Sequence, residues 1–190
     1  MTSTLLDIET TSLYADTGML VCAVLRRDGK DKVFFVESPR RESKVLRRIL
    51  EELRKSDCII TFNGRSFDLP FLFSRALVIG IENPKLDLPR HVDLYDECKR
   101  VLRFDRHGLD HIARLLGVEV NARLTGQEVP HLYMSYLAGK EPGVRDEIIG
   151  HCISDIETME GVSRRLEAII ALEEQNDDEN SGARKRDGGG

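Results

Sequence analysis

Three separated stretches of the chain carry carboxylates in arrangements that could grip a cation. The first is Asp7-Ile8-Glu9-Thr10. A strand alternates its side chains, so Asp7 and Glu9 would share a face and repel each other unless a cation sits between them. The second is Phe62-Asn63-Gly64-Arg65-Ser66-Phe67-Asp68. It closes an apolar run, where α/β sheets place their ligands, and Gly64 permits a tight turn. The third is His151-Cys152-Ile153-Ser154-Asp155, in which residues four apart share a helix face. Alone, each has an ordinary structural explanation: a solvated strand end, a helix cap at Asp68, a surface His–Asp pair. Together they supply four carboxylates and an imidazole. Mg²⁺ and Mn²⁺ take oxygen ligands, and a two-metal phosphodiesterase centre needs several carboxylates from separate elements, with its ions about 3.5–4 Å apart. In such a centre one ion activates water and the other stabilises the leaving oxygen.

The elements that must position these groups can be read from hydrophobic periodicity. Thr4–Ile8, Met19–Arg27 and Lys32–Glu37 read as strands, with Asp28-Gly29 as a hairpin turn between the last two. Glu42–Lys55 repeats apolar residues at helical spacing. Cys58–Phe62 reads as a buried strand and Asp68–Leu77 as a helix with Pro70 in its first turn, where proline is tolerated. Val92–Leu94 is a further short strand. Asp96–Leu102, Leu109–Leu116, Pro130–Leu137 and Gly143–Glu174 read as helices, the last kinked or interrupted at Gly150 or Gly161. This order predicts an α/β domain, a mixed sheet with helices on its faces. Residues 1–174 form that domain, and the polar, glycine-ended stretch 175–190 is expected to be a disordered tail.

In these residues the sequence resembles the DnaQ-like 3′–5′ exonucleases of the RNase H-like superfamily, whose four acidic metal ligands are spread over three motifs. Asp7-Ile8-Glu9-Thr10-Thr11 is similar to the first motif, Asn63-Gly64-Arg65-Ser66-Phe67-Asp68 to the second, and His151 with Asp155 to the third. The resemblance covers about residues 3–172. A histidine four residues before the last aspartate, with Thr125-Gly126-Gln127-Glu128-Val129-Pro130-His131-Leu132-Tyr133, resembles the YprB-like branch, in which Cys152 would replace an asparagine. The resemblance implies a five-stranded mixed sheet flanked by helices, with Asp7 and Glu9 on its central first strand. It also implies Asp7, Glu9, Asp68 and Asp155 as ligands of two Mg²⁺ or Mn²⁺ ions. Asp7 would bridge the ions, Glu9 and Asp155 would complete one, and Asp68 would reach the other through water.

The implied activity is hydrolysis at the 3′ end of single-stranded nucleic acid, DNA favoured, to nucleoside 5′-monophosphates. An RNA exonuclease or a structure-specific endonuclease could use the same site, and an inactive nucleic-acid-binding module is the reading from another class. His151 is the expected proton acceptor, since imidazole titrates near neutrality. Thr10, Asn63, Arg65 and Phe67 are the expected substrate contacts. Asp93 is either a site residue or a structural hydrogen-bond partner. His107, His111 and His131 are expected in loops, on the surface or along a substrate groove. Lys99, Arg100, Arg103, Arg106 and His107 form a basic stretch that is either a phosphate track or a solvated face. Arg184-Lys185-Arg186 could touch nucleic acid or simply be solvated.

Bulk properties agree with this reading. A chain of 190 residues with 41% hydrophobic and 32% charged residues suits one globular domain. A net charge of −5 argues against a nucleic-acid coat protein but not against an enzyme with an acidic centre. The four cysteines show no CxxC spacing, which disfavours zinc and predicts free buried thiols. No membrane span or secretory signal is recognisable, so a cytoplasmic location is expected, with homo-oligomerisation left open.

Overall fold

A computed structural model of the protein describes residues 2–84, 87–121, 124–139 and 143–186, with side chains of the last helix described up to residue 169. Five strands form one sheet in the order β3-β2-β1-β4-β5. β1 (Ser3–Thr10), β2 (Leu20–Arg27) and β3 (Lys30–Phe35) pair antiparallel. β4 (Cys58–Thr61) and β5 (Arg90–Asp93) continue the sheet in parallel. The β2–β3 turn holds Asp28 and Gly29 at φ of 51° and 69°, the left-handed pair that a two-residue hairpin requires.

The helices divide between the two faces. On one face α1 (Glu42–Leu53) and α2 (Asp68–Val78) pack on a core that includes Leu6, Ile8, Leu46, Ile49 and Leu72. Glu42 ties this side together from a buried position. Its carboxylate accepts from the Leu20 backbone N–H at 2.8 Å and from the Arg75 guanidinium at 2.8 Å through each oxygen. On the other face lie α3 (Leu94–Val101), α4 (Leu109–Leu115), α5 (Val129–Leu137) and α6 (Val144–Arg186), around Val21, Ile112, Tyr133, Ile148 and Ile156.

One expectation needs correction. α6 is not interrupted at Gly150 or Gly161; it runs as one helix. Gly161 serves packing instead, because a Cβ there would meet Val118 Cγ1 at 2.5 Å. The backbone helix of α6 is described through residue 186. Residues 187–190 lie outside the described residues. Among the described residues, no helix is long and apolar enough to cross a membrane.

Candidate metal centre

β1 alternates between the two cores. Leu6 and Ile8 join the α1–α2 side, while Asp7 and Glu9 look into a cleft of about 670 Å³ beside α6. Pairing with β2 shifts register between Glu9 and Thr10, so the strand ends just past its carboxylates. Bulges of this kind recur next to active sites.

The second motif is shaped by backbone geometry. Asn63 adopts φ 61°. Gly64 is required by close approach, since a Cβ there would lie 2.4 Å from Thr61 Oγ1. Asp93, at the end of β5, accepts from the backbone N–H groups of Asn63 (2.7 Å), Arg65 (2.8 Å) and Tyr95 (3.0 Å). Its role is therefore to hold this loop and cap α3. Asp68 is the first residue of α2 rather than its cap, and its carboxylate reaches back to accept from the backbone of β1 at Ile8.

α6 supplies the third wall. His151 and Asp155 project from one face of it into the same cleft as Asp7, Glu9 and Asp68. His151 Nε2 lies 3.3 Å from Glu9 Oε1, and Nδ1 lies 3.8 Å from Asp155 Oδ1. Cys152 Sγ donates to Asp7 Oδ2 at 3.0 Å. Ligand atoms of Glu9, His151 and Asp155 all fall within 4.8 Å of one another, as do those of Asp7, Glu9 and Cys152.

The electrostatics are those of an acidic cluster short of positive charge. Burial first, then Glu9, Asp68 and Asp155, hold the Asp7 carboxyl well above the usual range. Burial, Asp155 and Asp68 push Glu9 to about 8. Burial raises Asp68 to about 7, with Asp93 adding to the shift and backbone hydrogen bonds opposing it. Asp155 is also raised, by burial and by Asp110, although His151 opposes this. A divalent cation would reverse the sense of all four interactions, so the oxygen-rich donor set fits one.

The expected substrate contacts divide. Asn63 and Phe67 line the cleft. Thr10 does not: it is buried and donates its hydroxyl to Ser12 O at 2.8 Å. Arg65 turns away from the cleft to pair with Asp96 at 2.8 Å. His107, His111 and His131 do not line the cleft either. Of the basic stretch, Arg100 pairs with Glu97 and Lys99 lies over the Tyr95 ring. The backbone of Arg184-Lys185-Arg186 is helical, and its side chains lie outside the described ones.

Sequence reasoning missed Leu13, Tyr14, Ser66 and Asp110, all of which line the cleft. Leu13 and Tyr14 are 76% and 71% exposed. Two large apolar residues directly after a carboxylate motif were a usable signal. Asp110 gave none, since it reads as an ordinary acidic residue in the first turn of α4.

Comparison with known proteins agrees with this geometry. A family model described as the RNase_H superfamily matches residues 4–167. A DNA polymerase of Methanocaldococcus jannaschii is 29% identical over 104 residues, 44% of this chain and 6% of that protein. Protein YprB of Bacillus subtilis is 26% identical over 158 residues, 79% of this chain and 38% of that protein. The chain thus spans only a minor part of these relatives' length. The structure of the family B DNA polymerase from Pyrobaculum calidifontis superposes with a TM-score of 0.73 at 21% identity, over 87% of this chain and 24% of that one. The sheet order and the family match over most of the chain lead to one assignment: the chain belongs to the RNase_H superfamily.

Proposed function

We propose that this chain is a divalent-metal-dependent nuclease that hydrolyses single-stranded nucleic acid, DNA favoured, from a free 3′ end and releases nucleoside 5′-monophosphates. The observation that carries the reading is the convergence of Asp7, Glu9, Asp68 and Asp155, from β1, α2 and α6, on one cleft where each is penalised as an anion. Cations held by these four residues would supply Lewis-acid polarisation of the phosphoryl group and of water. Asp7 would contribute to both ions, with Glu9 and Asp155 completing one and Asp68 serving the other.

The rest of the cleft suits an unpaired strand. Tyr14, Phe62 and Phe67 offer aromatic walls on which bases can stack. Among the described residues, no lysine or arginine lines the cleft. Phosphate attraction would then come from the bound cations rather than from a basic track along a duplex. The DNA preference rests on the relatives that are named DNA polymerases.

The test uses 5′-labelled single-stranded DNA and RNA of one sequence, with free or blocked 3′ ends, incubated with the full chain and Mn²⁺. Stepwise shortening of the unblocked DNA from its 3′ end is expected. Equal cutting of the blocked strand would make the protein an endonuclease, and faster shortening of RNA would change the substrate. No cutting of any strand would reduce it to a binding module.

A further inference from the structure

Next to the carboxylates, His151 is a side chain with an unmet polar atom. It is 8% exposed, and its buried Nδ1 has no hydrogen-bond partner. Asp155 Oδ1, at 3.8 Å, is beyond hydrogen-bond reach of that nitrogen. Nε2 faces Glu9 Oε1 at 3.3 Å. A buried polar atom without a partner is costly, and a bound ion is one of the things that can satisfy it. Here the residue contributes to a compact set of possible ligand atoms, one each from Glu9, His151 and Asp155, all within 4.8 Å of one another, with Nδ1 on the Asp155 side. The three come from two rigid elements, the end of β1 and one face of α6.

We infer that Glu9, His151 and Asp155 form a mixed nitrogen–oxygen cation site in which the imidazole is a direct ligand. This rests on the metal-dependent reading above and adds to it a ligand that the four carboxylates do not include. An imidazole nitrogen favours borderline transition ions over Mg²⁺, so the site should select Mn²⁺ or Co²⁺ against Mg²⁺. It also changes the part His151 plays. A nitrogen committed to a cation is not available to take a proton from water, so the acid–base role expected from spacing alone belongs elsewhere. The competing arrangement is an imidazolium that only pairs with the two carboxylates.

The experiment is pulsed electron paramagnetic resonance on the full chain, carrying ¹⁵N-histidine and loaded with Mn²⁺. One ¹⁵N coupling of directly bound strength is expected, lost in His151→Gln and kept in His111→Gln. His151→Gln should also weaken Mn²⁺ binding by about 10–100-fold, the usual cost of a lost metal-site partner, with a smaller change for Mg²⁺. Binding that depends on Asp7 and Asp155 but shows no ¹⁵N coupling would overturn the imidazole ligand and leave the carboxylate centre standing. A coupling that survives in His151→Gln would also overturn it. Mn²⁺ binding indifferent to Asp7→Asn and Asp155→Asn, or no binding at all, would remove both the ligand and the metal centre.

Discussion

Neighbouring residues of β1 look into two different environments. Leu6 and Ile8 enter a closed apolar core beneath α1 and α2, where burial alone is favourable. Asp7 and Glu9, one position along, enter a cleft beside α6 where burial opposes their charge. Fully burying a leucine contributes about 1.5–3 kcal/mol. Bringing carboxylates together without a cation does the reverse, so the fold holds its second face against electrostatic resistance. Leu6 and Ile8 therefore stabilise the fold, while Asp7 and Glu9 are placed where a cation would offset their charge. Breaking either set should leave the other legible.

The largest effect should come from Asp7→Asn. Losing metal-supplied stabilisation of several kcal/mol corresponds to about 10³-fold or more in rate. The cation-free variant should melt above wild type, because a repelling charge is gone. Single-turnover cleavage and thermal melts in chelator check both halves; a variant of normal rate removes Asp7 from the site. Leu6→Ala should invert this pattern. It should cost about 2–5 kcal/mol of stability in denaturant titration and leave the rate per folded molecule nearly unchanged. A large rate loss at full folding would show that the faces are not separable.

The third prediction concerns pH in the absence of divalent ions. Glu9 and Asp68 are raised to about 8 and about 7, above their unfolded values, so they favour the fold when protonated. That contribution is complete below about pH 4 and is lost as pH rises towards 8. The melting temperature in chelator should fall between pH 5 and 8.5, and Mn²⁺ at pH 8 should restore it. Glu52, held near 2 by Lys32 and Lys55, acts in the opposite sense but only in acid. A melting temperature that climbs through this window contradicts the account. The smallest effect belongs to Cys152, whose thiol donates to Asp7 and opposes its raised pKa. Cys152→Ala should weaken cation binding by about 1 kcal/mol, while Cys152→Ser, which keeps a donor, should not. Calorimetric titration with Mn²⁺ separates the two.

Much of this was legible in the sequence because period-2 and period-4 spacing translate directly into faces. That is how Asp7 with Glu9, and His151 with Asp155, could be placed before any coordinates. The Asp28-Gly29 turn and the apolar runs were similarly local signals. What escaped depended on distant chain segments meeting. Thr10 lies beside the acidic motif but spends its hydroxyl on Ser12, and Arg65 finds Asp96 from 31 residues away. Asp93 could be either a site group or a structural one until three backbone N–H groups were seen on it. Gly161 reads as a helix breaker until Val118 is found against it. His151 was placed correctly by spacing, but its surroundings, and hence its part in the site, come from Glu9 across the cleft.

The most direct test of the central claim is cleavage of 5′-labelled single-stranded DNA by the full chain, first after exhaustive chelation and then with Mn²⁺ restored, with Asp155→Asn run in parallel. The account predicts no cleavage in chelator, recovery of 3′-end shortening on adding Mn²⁺, and no recovery in the variant. Cleavage that persists undiminished in chelator, or that Asp155→Asn supports at the wild-type rate, would contradict it.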